Sequence, residues 1–349
     1  MKSISTKAVL LQLKADLIGK DSYRGVTLTY SWLANQVGHF SLGFIPTLFI
    51  SVPLTTYTSI NNIPVWSALI ISITWLLFET YNFLGPLLIK KSETKAFFIA
   101  GKIHSFQPPW KNIAFDTFTD LCFFWVGTFS ASLFLGFSNA SLCVLITLLL
   151  ILVYPIRYWY LTKMYLQSAQ YPFQYRLSQW EGNMNVNDMQ IIDNFISQKE
   201  TGKHLFVFGA KGTGKTSISV GIGTEFSIHH SACLYTTAVK LFTMFFESDT
   251  DQELKGTQLW TWRKASLLVI DDINPGDPIK DDIVVPDNFL KILDTFSISN
   301  AENRTTLKNK NVIWVLGDKM FDDVLLNNWK QMLMKIGVEN KNVSAINLL

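Results

Sequence analysis

Four stretches of this chain are apolar over a length that water cannot solvate: Trp32 to Leu54, Val65 to Ile89, Phe118 to Phe137 and Ser141 to Tyr160. Each approaches the about 20 residues that a helix needs to cross a bilayer, where every backbone N–H and C=O must be bonded within the segment. The fourth, built around CVLITLLLILVY, is the most uniform. The first is interrupted by Asn35, Gln36, His39 and Pro46. Segments this long and this apolar are poor core helices of a soluble protein, which show one apolar stripe and one polar face. The expectation is a four-helix transmembrane bundle over residues 31–163, with a bilayer as its first partner.

Charge fixes the orientation. Residues 1–175 contain 12 Lys+Arg against 6 Asp+Glu, and residues 176–349 contain 18 against 21, so the halves carry about +6 and −3. Lys2, Lys7, Lys14, Lys20 and Arg24 precede the first segment, and Lys90, Lys91, Lys95, Lys102 and Lys111 lie between the second and third. Arg157, Lys163 and Arg176 attend the end of the fourth, whereas the loops TTYTSINNIP and SNA hold no basic residue. Basic residues on alternate loops put both termini and the C-terminal half on the cytoplasmic side of an inner or plasma membrane. The opening residues lack the apolar core and small-residue cleavage site of a signal peptide. Residues 6–20 place Val9, Leu10, Leu13 and Leu17 on one stripe, as either an interfacial helix or an amphipathic helix packed on the C-terminal half.

Polar groups at depth are costly. Glu79 lies about ten residues before Lys90 and His39 about seven residues into the first segment, roughly 15 Å and 10 Å deep at the helical rise. A Glu79 to His39 contact is therefore expected, with Asn35 nearby, serving either as helix–helix glue or as an ion or proton path. Cys122, Cys143 and Cys233 show no C-x-x-C spacing, so neither disulfides nor zinc are indicated.

The C-terminal half reads differently. Residues 209–216, GAKGTGKT, form a complete G-x-x-x-x-G-K-T phosphate loop between the apolar run HLFVF (204–208) and a helical stretch (217–228). In such a loop Gly209, Ala210, Lys211, Gly212, Thr213, Gly214, Lys215, Thr216 and Ser217 wrap the phosphates of a nucleotide. Backbone N–H groups do the cradling, Lys215 reaches the β/γ oxygens, and the Thr216 hydroxyl ligates Mg²⁺. The run SLLVIDDIN (266–274) ends four apolar residues in Asp271 and Asp272, as a Walker B strand does. Asp271 is the second Mg²⁺ partner and Asp272 the group that polarises the attacking water. ATP and Mg²⁺ are the implied substrate and metal. Residues 164–200 form a connector with a helix at Asp188 to Gln198, leaving 201–349 as an α/β domain with a parallel sheet.

From about residue 185 onward the chain resembles the AAA+ class, within it the small helicase-loader and replication-initiator type. The resemblance rests on GAKGTGKT, on ACLYTTAVKLFTMFF (232–246) as second strand and helix, on SLLVIDDI, and on KNVIWVLGD (310–318) as the sensor 1 strand. It implies a parallel sheet flanked by helices, Mg-ATP, and oligomerisation through the nucleotide face. The chain departs from the pattern in three ways. Its sensor 1 strand ends at Gly317-Asp318 where Asn or Thr is usual, so the water-orienting role passes to Asp318. After that strand come one amphipathic helix and the short strand VSAINLL, too little for a helical lid. Its last arginine, Arg304, lies in the loop NAENRTTLKNKN before the strand, either as a solvated loop charge or as a finger reaching a neighbour's γ-phosphate in a homo-oligomer, the other option being an arginine from a partner protein. The insert NPGDPIKDDIVVPD is either a partner-contact loop or a surface excursion. Trp260 and Trp262 beside Arg263 and Lys264 are expected in the core rather than stacked on bases, because the half is net acidic.

The expectation is thus a membrane-anchored cytoplasmic ATPase that drives assembly or conformational switching of a membrane-associated complex. The alternatives are a nucleotide-gated membrane effector or transporter and a membrane-tethered nucleic-acid factor, the last disfavoured by charge.

Overall fold

The computed structural model describes residues 4–18, 28–100, 106, 110–180, 184–197, 201–246, 258–276, 282–294 and 300–349. Lys2, Lys20, Arg24, Lys102 and Gln198, as well as the middle of the insert after Walker B, lie outside them. The chain divides into two compact units, one of residues 6–99 and 108–163, the other of residues 1–5, 100–107 and 164–349.

The first unit is helical: α1 (Thr6–Ile18), α2 (Leu28–Tyr57), α3 (Ile63–Ala100), α4 (Trp110–Leu135) and α5 (Asn139–Ser168), whose last turn belongs to the other unit. Four of these are long and apolar enough to cross a membrane by length and composition: Leu28–Tyr57, Ile63–Gly85, Trp110–Leu135 and Asn139–Ser168. Each begins before the corresponding apolar segment, because intrahelical bonding continues into the N-terminal polar flank. The packing of α2 on α4 is set by two glycines. A Cβ on Gly43 would stand 2.0 Å from the Phe124 carbonyl oxygen, and one on Gly127 2.1 Å from that of Phe40. Small residues thus let the two backbones touch. Pro46 removes the N–H that would bond the Leu42 carbonyl inside α2. That carbonyl instead accepts the indole N–H of Trp75 from α3 at 3.0 Å. Hydroxyl pairs join the remaining helices, Ser72 with Thr128 at 2.9 Å and Ser132 with Ser141 at 2.8 Å.

The outer face of this unit is apolar, unlike that of a water-soluble bundle: Phe49, Leu77, Phe134 and Leu150 are each about two-thirds exposed or more, while Thr47, Ser51, Ser67, Ser72, Thr128, Ser132 and Ser141 are buried alongside Ala68, Cys122, Val126, Phe129, Leu148 and Leu152. In α1, Asp16 is buried and accepts a hydrogen bond from Tyr160 at 3.1 Å, and Leu10, Leu11 and Leu17 are exposed. The expected Glu79 to His39 contact is replaced by another pairing. His39 lies 3.2 Å from Asp120 of α4, and Glu79 bonds Asn82 one turn along its own helix. Asn35 is exposed. Depth along the helices had suggested the pair, but rotation about their axes selects Asp120.

The second unit is a three-layer α/β domain. Its five strands, β1 (His204–Gly209), β2 (Cys233–Thr237), β3 (Leu267–Ile273), β4 (Asn311–Leu316) and β5 (Val343–Leu348), are parallel in the order β2-β3-β4-β1-β5. A parallel sheet covered on both faces reads as continuous apolar sequence, and β1 and β4 are buried at every residue. Alternate residues serve opposite cores. Leu205, Val207, Ile313 and Val315 meet α6 (Val186–Ser197) and α7 (Lys215–Ile228). Phe206, Phe208, Trp314 and Leu316 meet α8 (Ala238–Phe245), α9 (Pro286–Leu293), α10 (Asn300–Lys308) and α11 (Asp323–Lys335). The stretch read as a connector supplies Ala169, Leu177, Trp180 and Met184 to the first core, so it packs as part of this domain. Trp260 and Trp262 are buried, their indoles donating to the carbonyls of Cys233 and Met244 at 2.8 and 3.1 Å, as core packing required.

Candidate functional site

The site forms where β1, β3 and β4 end together, at the carboxyl edge of the sheet, the usual ligand side of a parallel sheet. β1 leads into the glycine-rich loop and then α7, whose first residue is Lys215. Gly212 and Gly214 have φ of +88° and +84°, a backbone that residues with a Cβ rarely adopt. Gly214 caps α7, turning the free N–H groups of its first turn toward the loop. A Cβ at Gly214 would also lie 3.0 Å from Trp180 Nε1, which donates to the Gly214 carbonyl at 3.3 Å.

Lys215 is buried, and its ammonium donates to the Gly209 carbonyl at 2.8 Å and the Ala210 carbonyl at 2.7 Å. Burial pulls its pKa below the ordinary lysine value, while the nearby charges of Asp271 and Asp318 oppose that shift. The loop therefore curls around its own lysine, with two carboxylates close by. Thr216 and Ser217, half-buried, follow in the first turn of α7.

Asp271 ends the regular part of β3 and is buried, whereas Asp272 points to solvent. Both Asp271 oxygens are engaged: Oδ2 accepts the Tyr235 hydroxyl at 2.7 Å and Oδ1 the backbone N–H of Asp272 at 2.7 Å. Asp272 and Asn274 adopt φ of +53° and +54°, and the β3–β4 register breaks between Ile270 and Ile273. Non-glycine residues in the left-handed region cost about 1–2 kcal/mol each, a strain that gathers at functional sites. Partial desolvation, and then the Asp271 charge, raise the Asp272 carboxyl above the usual Asp range.

Asp318 is brought in by the loop after β4. Gly317 N–H donates to the Ile273 carbonyl at 2.8 Å, and a Cβ on Gly276 would stand 2.6 Å from Asp318 Oδ2. The Lys319 carbonyl accepts the Gly209 N–H at 3.2 Å, tying the same loop to β1. Lys215, Asp271, Asp272 and Asp318, far apart in sequence, are thereby gathered at one edge.

Arg304 is not in a loop. It sits on α10, where its guanidinium binds both carboxylate oxygens of Asp294 at the end of α9, with Nε to Oδ1 at 2.6 Å. Sequence reasoning missed Tyr235 and Trp180. The signal for Tyr235 was its place in β2, two residues before the strand end that pairs with Asp271. Nothing local marked Trp180.

No family model matches the chain, and no curated protein matches it. Among solved structures, one described as the crystal structure of the DnaI aligns with 50% of this chain and 88% of that chain, at 18% identity and a TM-score of 0.33.

Proposed function

We propose that this chain is a membrane-anchored ATPase, with the four apolar helices in the bilayer and the α/β domain on the side of the basic loops. The observation that carries the nucleotide reading is the buried Lys215 ammonium inside a left-handed glycine loop, facing the Asp271 end of β3. Such a cation, with the N–H groups of the α7 first turn, suits the phosphates of ATP. Lys215 exchanges its two carbonyl partners for β/γ oxygens, and the N–H groups of the loop from Ala210 to Gly214, with those of Lys215, Thr216 and Ser217, cradle the chain. Thr216 and Asp271 fit Mg²⁺, the one by its hydroxyl at the start of α7, the other by a carboxylate already fixed by Tyr235. The metal supplies charge neutralisation on the phosphates. Asp272, solvent-facing and with a raised pKa, accepts the proton of the water that attacks the γ-phosphorus, and Asp318 orients that water. An AAA+ kinship of the helicase-loader type belongs to this reading. An arginine supplied in trans by a partner protein completes it, because Arg304 is bound to Asp294 within its own chain, and would be so in every copy.

The membrane reading rests on the four long apolar helices and on the apolar outer face of the helical unit, where Phe49, Leu77, Phe134 and Leu150 are exposed. Surfaces of that kind are stable only against lipid or protein. Fluorescent-nucleotide titration in Mg²⁺ tests the site. Lys215→Ala is expected to weaken binding by roughly 30- to 150-fold, the loss of about 2–3 kcal/mol of charge-assisted bonding. Unchanged affinity would refute the site.

A further inference from the structure

Within the helical unit, a set of polar side chains from three helices meets at one point that the nucleotide chemistry does not use. Asp120 of α4 is flanked by two residues of α2. Gln36 Nε2 donates to Asp120 Oδ1 at 3.0 Å, and His39 Nδ1 lies 3.2 Å from the same oxygen. Glu79 of α3 is within electrostatic reach of both Asp120 and His39, and bonds Asn82. His39 lies against Phe124 with ring centroids 4.6 Å apart and planes tilted by 32°, and Trp75 stacks on Phe124 at 4.1 Å.

Two atoms at this point have unmet needs. Gln36 is only 3% exposed, yet its Oε1 has no hydrogen-bond partner, and His39 Nδ1, though at ion-pair distance, makes no hydrogen bond either. An amide oxygen can only accept, so the site calls for a donor that its own residues do not supply. Charge makes the same demand. α2 contains no Asp, Glu, Lys or Arg, and α3 as far as Gly85 contains only Glu79. α4 adds Lys111, nine residues before Asp120, and Asp116, one turn before it and engaged in an interaction of its own. α5, which meets α4 at Phe115 and Ser132, carries Arg157 and Lys163 and no carboxylate. Among the groups of α2, α3 and α4 at the meeting point, two carboxylates face one imidazole. Even as a cation His39 leaves a negative excess, which an apolar setting removes by neutralisation. Among the described residues no group of three or more His, Cys, Asp or Glu could hold a metal ion.

We infer that His39, Glu79 and Asp120 form a proton-binding site, in which a proton with its water is shared by the two carboxylates and donates to Gln36 Oε1. The inference rests on the membrane reading for its setting, since a bilayer is what keeps bulk water from solvating these charges. It makes this end of the bundle a protonation centre rather than glue between helices.

Infrared difference spectroscopy of the full-length protein in phosphatidylcholine vesicles, titrated with acid, reads the C=O stretch of an un-ionised carboxyl directly. The site predicts a titrating band in the wild type that is lost or displaced in both Glu79→Gln and Asp120→Asn, and whose midpoint moves in His39→Gln. A band that is absent, or identical in all three variants, overturns the inference. Circular dichroism and gel filtration establish that each variant is folded; His39→Gln leaves both carboxyls in place and reads the site even if a carboxamide variant fails. A midpoint that depends on Na⁺, compared with choline, would also overturn it in favour of a cation site. Flotation of the vesicles scores membrane insertion separately, and the same titration in detergent micelles reads the site whatever flotation shows.

Discussion

His204, the first residue of β1, is buried in the sheet and accepts the Trp314 indole N–H on Nδ1 at 3.1 Å. The Lys308 backbone lies within reach of the ring, and Nε2 has no hydrogen-bond partner among the described residues. Burial holds its pKa down at about 3, well under the ordinary histidine value of 6.5. A group depressed in the folded state contributes its full stability above the unfolded pKa and loses it as pH falls toward the folded one. The loss here begins near pH 6.5 and runs at about 1.4 kcal/mol per pH unit. At pH 4.5 it amounts to roughly 3 kcal/mol. For a domain of this size that is roughly 6–12 °C in Tm. Asparagine places an amide oxygen where Nδ1 sits, keeps the Trp314 bond and does not titrate. Tryptophan-fluorescence melts of wild type and His204→Asn at pH 7 and 4.5 isolate the effect, since both share every other acid-sensitive group. The wild type should lose roughly 3 kcal/mol more than the variant between the two pH values. An equal loss in both would refute the reasoning.

Asp272→Asn should retain nucleotide binding and lower hydrolysis by about 10²–10⁴-fold, the usual worth of a general base. Because the Asp272 pKa is raised and the base must be ionised, wild-type hydrolysis should fall on acidification at a pH above the ordinary Asp range; a flat acid limb counts against the role. Gly43→Ala forces a methyl to within 2.0 Å of the Phe124 carbonyl oxygen and should cost at least the roughly 3 kcal/mol upper end of overpacking penalties. Gly38→Ala meets nothing within 4 Å and should be neutral or stabilising by about 0.5–1 kcal/mol. Detergent-phase melts that fail to separate the two alanines would contradict the α2–α4 packing.

Much of the α/β domain was legible because parallel strands covered on both faces are unbroken apolar runs, and the runs of β1, β3 and β4 lead into Gly209, Asp271 and Gly317-Asp318. Asp271 and Asp318 could be named from sequence because they come at the ends of such runs, and Lys215 because the glycine pattern of 209–216 marks it. Tyr235 could not, since its hydroxyl reaches Asp271 only through the β2–β3 register. Trp180 is 34 residues from its partner Gly214, and no periodicity links them. Arg304 looked like a loop residue because its neighbours are Asn and Thr. Yet Glu302 near the start and Lys308 at the end suit the helix dipole, and Leu307 anchors the helix in the core. In the helical unit the segments were visible from length and apolarity, but the partner of His39 was not. Depth supplies one coordinate, and the azimuth that chose Asp120 over Glu79 depends on Gly43 and Gly127 bringing α2 and α4 into contact.

The central claim, a nucleotide-hydrolysing domain carried on a membrane bundle at its cytoplasmic face, is tested most directly by ATP hydrolysis in sealed membrane vesicles of known sidedness. Inside-out vesicles containing the full-length protein should hydrolyse added ATP in Mg²⁺, and those carrying Asp272→Asn should not. Right-side-out vesicles should do so only after permeabilisation. Equal hydrolysis by wild-type and Asp272→Asn vesicles, or activity in intact right-side-out vesicles, would contradict the account.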